Sequence, residues 1–232
     1  MSAQDNPQLP DLETPVQSTI RLETTLLLSL VVAVLSLFLF AWIAENVSHQ
    51  RTQNFDLSVR AQIHQYASPA LTRLMIVTSF LGSRGIFVFA VIALAFFRHH
   101  RWRRAAIWLA VSLAGALVLE LTLKFAFHRP RPTPFFVPIP STYSFPSGHA
   151  LFSFCFYGVL AGLLSGRIRS LRLRVLIWTL AALLVLAIGL SRIYLGVHYP
   201  SDVIAGYLTA SLWVGTMVAV DRWRARRKNY PS

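Results

Sequence analysis

The run TTLLLSLVVAVLSLFLFAWIA, residues 24–44, contains no charged side chain. A helix needs about 20 predominantly apolar residues to cross a hydrocarbon core of about 30 Å, so this run is long enough to span one. Further apolar runs follow at 80–97, 105–127, 148–165, 174–190 and 202–220. Gly82 and Gly85 blur the start of the second. The segment PALTRLMIVTSFL, 69–81, is too short and too polar at its start to span, and reads as an interfacial or re-entrant helix. The expected fold is all-α: a polytopic membrane protein built as a six-transmembrane-helix bundle.

Composition agrees with that reading. In 232 residues, 55% are hydrophobic and 13% charged, which does not suit a water-soluble domain. The net charge of +13 would fit a nucleic-acid binder, but the cations sit in short clusters between apolar runs, with no basic aromatic surface beside them. Arg98, Arg101, Arg103 and Arg104 form one cluster, and Arg167, Arg169, Arg172 and Arg174 a second. Arg222, Arg224, Arg226, Arg227 and Lys228 form the third. Six spans put all three on one side, and the positive-inside rule makes that side cytoplasmic. Both termini then lie inside, and the connections 45–79, 128–147 and 191–201 face out of the cytoplasm from the inner (plasma) membrane.

Three regions result. Residues 1–23 read as a polar, disordered cytoplasmic tail, 24–221 as the membrane domain and 222–232 as a basic cytoplasmic tail. The first twenty residues hold no Lys or Arg, so they lack the basic start of a signal peptide, and the first span is expected to remain as an anchor. Cys155, the one cysteine, lies in LFSFCFYG and reads as a small buried hydrophobe.

The outward connections collect the residues that carry chemistry. Six of the twelve prolines fall between Pro130 and Pro146, so that loop is stiff and non-helical. In LKFAFHRPRP, Lys124 and Arg131 are either snorkelling cations or an anion site, Arg offering a planar fork and Lys a point charge. In FPSGHA, Ser147 reads as a helix N-cap and Gly148 as a turn residue. The same helix N-terminus also makes a phosphate cradle. His149, in its first turn, reaches the same anion as a proton donor. In SRIYLGVHYPSD, Arg192 adds a cation, and Asp202 stands four residues after His198, where it can hold one imidazole N–H and fix the tautomer. Asp202 is the one convincing acid of these three groups, which argues against a magnesium or two-metal site. No metal or other cofactor is expected.

The three groups resemble the motifs of the type 2 phosphatidic acid phosphatase superfamily, which also contains vanadium haloperoxidases and glucose-6-phosphatase. K-x6-R-P is matched by Lys124 to Arg131–Pro132, P-S-G-H by Pro146–His149, and S-R-x5-H-x3-D by Ser191–Arg192 to His198 and Asp202. The resemblance covers about residues 70–215. It implies six membrane helices and a metal-independent double displacement. His198 would be the nucleophile that becomes a phosphohistidine, Asp202 its orienting acid, and His149 the acid and then the base. Lys124, Arg131, Ser147, Gly148 and Arg192 would hold the phosphate. The implied substrate is a lipid phosphate, with undecaprenyl pyrophosphate favoured over phosphatidylglycerophosphate, phosphatidic acid or lipid A. A non-catalytic lipid-phosphate binder or transporter is the reading from another class. It would place charges across the bilayer midplane rather than at one face.

Three more residues lie outside the motifs. Arg84 either snorkels or touches a head group, and Arg129 sits between motif positions. Glu120, one turn before Lys124, is costly in a span unless paired, so a Glu120–Lys124 pair is expected.

Overall fold

The structure, a computed structural model, describes residues 15–229. Its helices are α1 (Pro15–Ser48), α2 (Gln53–His64), α3 (Pro69–Leu81), α4 (Arg84–His99), α5 (Arg103–Phe127), α6 (Gly148–Ser165), α7 (Leu171–Tyr194) and α8 (Pro200–Asn229). Residues 1–14 of the expected N-terminal tail and 230–232 of the basic tail lie outside the described residues. From Pro15 onward the chain is already helical, and α8 carries the helix through the third arginine cluster.

Among the described residues, five helices are long and apolar enough to cross a membrane, or six if α3 and α4 count as one bent span. The two meet at 44° across Gly82–Ser83, so the expected interfacial helix and second span form a continuous but bent pair. Gly82 lets this junction pack closely against α7 and α6. A Cβ there would collide with Ile188 of α7 and lie 3.3 Å from the His149 ring. Large apolar side chains such as Phe38, Phe87 and Leu183 remain exposed on the outside of the bundle, the surface expected of helices bathed in lipid.

Inside, Ile86 and Phe97 of α4, Leu109 of α5 and Phe156 of α6 share one buried cluster. Ala116, Leu151, Cys155 and Ala210 share another, which buries the single cysteine as its sequence suggested. Helix α6 loosens into a π-turn at Phe154–Gly158. The Cys155 carbonyl there accepts from Ser112 Oγ at 3.0 Å, and Trp213 Nε1 donates to the Ser112 carbonyl at 3.1 Å. A backbone group freed from its helix is thus satisfied where no water is expected. Helix α1 runs along α8, where Gly215 approaches Ser29 and Ala33. One end of the bundle carries α2, the proline-rich loop 128–147 and the loop 195–199; the other carries the arginine clusters.

Candidate active site

The loop between α7 and α8 places His198. Gly196 has φ +79°, and a Cβ on it would stand 2.7 Å from the Phe135 nitrogen, so this position needs glycine. Phe135 N–H donates to the Leu195 carbonyl at 3.1 Å. Arg60 of α2 donates to the carbonyls of Thr133 (2.8 Å) and Gly196 (3.3 Å), stitching the proline loop to the His198 loop.

His198 is 1% exposed. Its Nε2 lies 3.0 Å from Arg131 Nη1, which also donates to the Val197 carbonyl at 2.8 Å. A guanidinium only donates, so Nε2 must be the unprotonated nitrogen and Nδ1 carries the hydrogen. Nδ1 faces Asp202 Oδ2 at 3.4 Å. Burial pushes the imidazole down to about 3, the hydrogen bond with Asp202 opposing and the charge of Arg131 adding to the effect. The resting ring is therefore neutral, its Nε2 lone pair unprotonated and held by the Arg131 hydrogen bond.

Asp202 is fully buried in the first turn of α8, a position that favours a carboxylate. Its Oδ2 accepts from Tyr199 N–H at 2.8 Å and Ser144 Oγ at 2.5 Å, and its Oδ1 from Arg129 at 2.5 Å. The carboxylate is held from three directions, which fixes where it points.

The cations gather on the opposite side of the imidazole. Arg131 donates through Nε to the Thr142 carbonyl (2.6 Å) and through Nη2 to Thr142 Oγ1 (3.0 Å), and Lys124 Nζ reaches the same hydroxyl at 3.4 Å. Lys124 also pairs with Glu120 at 2.7 Å, as the one-turn spacing anticipated. Glu120 packs against Gly148, where any Cβ would collide with its carboxylate. Arg192 is buried and donates to Ser79 Oγ of α3 at 2.5 Å.

At the start of α6, Ser147 occupies the N-cap position, but its side chain makes no capping bond. Its hydroxyl and the Nε of Arg192 are both buried without a protein hydrogen-bond partner. Ser147 N–H donates to the Asp202 carbonyl at 2.9 Å, and Gly206 lets α8 approach the Ser147 carbonyl. The half-buried His149 imidazole lies within electrostatic range of Arg192, His198, Lys124 and Arg131. All eight residues expected from the motifs thus converge at one end of the bundle.

Sequence reading missed the layer behind them. Asp56 of α2 is fully buried and pairs with Arg129 at 2.8 Å. Burial disfavours the charge on Arg129, but the carboxylates of Asp202 and Asp56 outweigh it and raise its pKa. Ser144, Thr142 and Arg60 also entered unnoticed. Only a charged residue amid FDLSVR, within a polar stretch, hinted at Asp56. Arg84 begins α4 exposed to the surroundings, as a snorkelling cation would be.

Comparison with known proteins points to one family. The family model described as the PAP2 superfamily matches residues 105–226. An undecaprenyl-diphosphatase of Sulfolobus acidocaldarius is 29% identical over 72% of this chain and 79% of its own length. A phosphatidylglycerophosphatase B of Bacillus subtilis is 28% identical over 74% of this chain and 86% of its own. Among solved structures, a transmembrane PAP2-type phosphatidylglycerolphosphate phosphatase from Bacillus subtilis superposes with a TM-score of 0.76 at 25% identity. The match covers 84% of this chain and 98% of the other.

Proposed function

This chain belongs to the PAP2 superfamily and is a phosphatase; from that premise we propose that it hydrolyses a lipid phosphomonoester or pyrophosphate through a phosphohistidine on His198. The observation that carries this reading is the pairing of a neutral, buried His198, its Nε2 turned toward Arg131, with two buried polar groups that no protein atom satisfies, Ser147 Oγ and Arg192 Nε.

In the proposed reaction Nε2 attacks phosphorus while the P–O bond to the leaving group breaks. His149 gives its proton to the departing oxygen. Positive charge develops on the imidazole, and Asp202 stabilises it through Nδ1–H. Water then attacks the phosphohistidine as His149 takes its proton, the P–N bond breaks, and inorganic phosphate leaves. Lys124, Arg131 and Arg192, with Ser147 Oγ and the Gly148 N–H, hold the equatorial oxygens, the electrostatic role expected in phosphoryl transfer.

We take α3 and α4 as one of six spans and the arginine clusters as cytoplasmic, which would leave both termini inside and the site on the outer side of the inner membrane. An undecaprenyl pyrophosphate there, the spent carrier of cell-wall synthesis, is the favoured substrate. The name of the Sulfolobus relative supports it. Phosphatidylglycerophosphate, phosphatidic acid and lipid A phosphates are the alternatives, and the Bacillus relative's name supports the first of these.

The test is phosphate release from a panel of these lipids by purified protein in detergent containing EDTA. Release undiminished by EDTA, fastest with undecaprenyl pyrophosphate, is expected. Loss of activity to EDTA would overturn the metal-free mechanism. Hydrolysis of no lipid in the panel would favour a lipid-phosphate binder or transporter.

A further inference from the structure

Behind the nucleophile, Arg129 forks between two buried carboxylates. Its Nη1 donates to Asp202 Oδ1 (2.5 Å) and Ser201 Oγ (2.8 Å). Its Nη2 donates to Asp56 Oδ2 (2.8 Å) and Thr52 Oγ1 (3.4 Å). The guanidinium also lies over the ring of Tyr199, the residue after His198, at 4.2 Å. Asp56, with no exposed surface, accepts from Ser201 N–H at 2.9 Å and Ser201 Oγ at 2.7 Å, and so caps the start of α8 from another helix. Asp56 stands outside the region the family model matches, residues 105–226.

The charges of this chain decide what it can do. Arg129 and Asp202 by themselves form a neutral pair, and His198 would face little more than a dipole. With Asp56 added, these three groups carry a net charge of −1, which the Arg60 guanidinium, within electrostatic range of both carboxylates, brings to zero, so that loss of Asp56 would leave an excess cation there. On the substrate side stand Arg131, Lys124 and Arg192, all cationic and only partly offset by Glu120. A ring that gains positive charge on attacking phosphorus therefore needs both carboxylates behind it. In a buried site such charge is screened far less than in water.

We propose that Asp56 and Arg129 are a positioning pair that aims Asp202, Asp56 offsetting the cations behind His198, so that α2 contributes to the chemistry without touching substrate. This inference rests on the reading of His198 as the nucleophile. The pair's hydrogen bonds run to each other, Asp202, Ser201 and Thr52, all on the side of the carboxylate away from the cation cluster. Its effect therefore falls on the phosphoryl-transfer step and spares binding.

The experiment is rapid-quench phosphorylation of His198 with a radiolabelled lipid pyrophosphate. It is run beside steady-state kinetics and competitive inhibition by inorganic phosphate. Asp56→Asn, which keeps the shape but removes the charge and turns one accepting oxygen into a donor, is expected to slow label formation and kcat by roughly 10- to 100-fold, the scale at which outer partners of metal-bound imidazoles act. KM and the inhibition constant for phosphate stay near the wild-type values. Arg129→Gln strands two adjacent carboxylates and is slower. The double variant Asp56→Asn/Arg129→Gln restores the wild-type net charge and is faster than Arg129→Gln alone. A purely structural role predicts the reverse, a double variant worse than either single one, with KM raised throughout. That order, or wild-type labelling by Asp56→Asn, overturns the inference while leaving the nucleophile in place. A wild-type protein that releases phosphate without any histidine label removes the nucleophile reading, and this inference with it. Should Asp56→Asn fail to fold, the comparison of Arg129→Gln with the double variant still decides.

Discussion

The two ends of this bundle use the same residue types for different purposes. At the arginine end, Arg104 pairs with Asp221 at 2.6 Å with its side chain 73% exposed, and Arg226 reaches Glu23 at 3.5 Å with both half exposed. Other guanidinia there lie on indoles, Arg167 over Trp102 and Arg227 over Trp223. At the proline-loop end, the Arg129 side chain is 13% exposed, and both of its carboxylate partners are fully buried. Solvent shares the charge at the first end, where an exposed pair contributes about 0–1 kcal/mol. At the second, removing one partner leaves a charge stranded in the interior, a loss of about 3–5 kcal/mol. Identical chemistry is cheap topology at one end and fixed geometry at the other.

That contrast orders the expected effects of change. His198→Ala removes the group that bonds to phosphorus and should cut phosphate release by a factor on the order of 10⁶, as for other covalent nucleophiles. Near-normal release by this variant would move the chemistry elsewhere. Glu120→Gln removes the negative charge from the 2.7 Å partner of Lys124 at the same end. It should raise KM roughly 5- to 30-fold, the factor that 1–2 kcal/mol represents. Unchanged kinetics would count against Glu120 as the residue that aims Lys124.

A pH effect follows from burial of His198. The folded ring stays neutral, whereas the unfolded one protonates below about 6.5. The unfolded state thus binds more protons as pH falls from 6.5 toward 3, and stability drops across that window. The contribution is at most about 1.4 kcal/mol per pH unit. Thermal melts in detergent should show a shallower decline for His198→Gln than for wild type, and equal slopes would mean that the folded imidazole is already charged. The smallest effect belongs to the arginine end. Arg104→Ala should leave lipid phosphate hydrolysis unchanged and shift stability by no more than about 0.5 kcal/mol. A larger shift would show that this exposed pair is not solvent-shared.

Much of the fold was legible because membrane spans are a one-dimensional property. Hydrophobic length alone located α1, α5, α6, α7 and α8, since a backbone in lipid must satisfy its own hydrogen bonds within each helix. The junction between α3 and α4 was visible only as a doubtful start, because Ile188 and His149 meet Gly82 there from distant helices. The eight motif residues were singled out by their resemblance to three family motifs. Lys124, Arg131, Ser147, Gly148, His149, Arg192, His198 and Asp202 flank helix ends, and the order of helices brings those ends together. Even Glu120 could be paired with Lys124 from a one-turn spacing.

Asp56 could not be found that way. It meets Ser201 across 145 positions of chain, and Arg129 meets it across 73. No local pattern encodes such a meeting, and in sequence both residues look like ordinary loop charges. Residue identity and spacing picked out the groups that gather at one end of the bundle, because spans and their ends follow from local physics. Folding specified which carboxylate faces which cation, and so the charge behind His198, because burial and Coulomb interaction depend on distance in space.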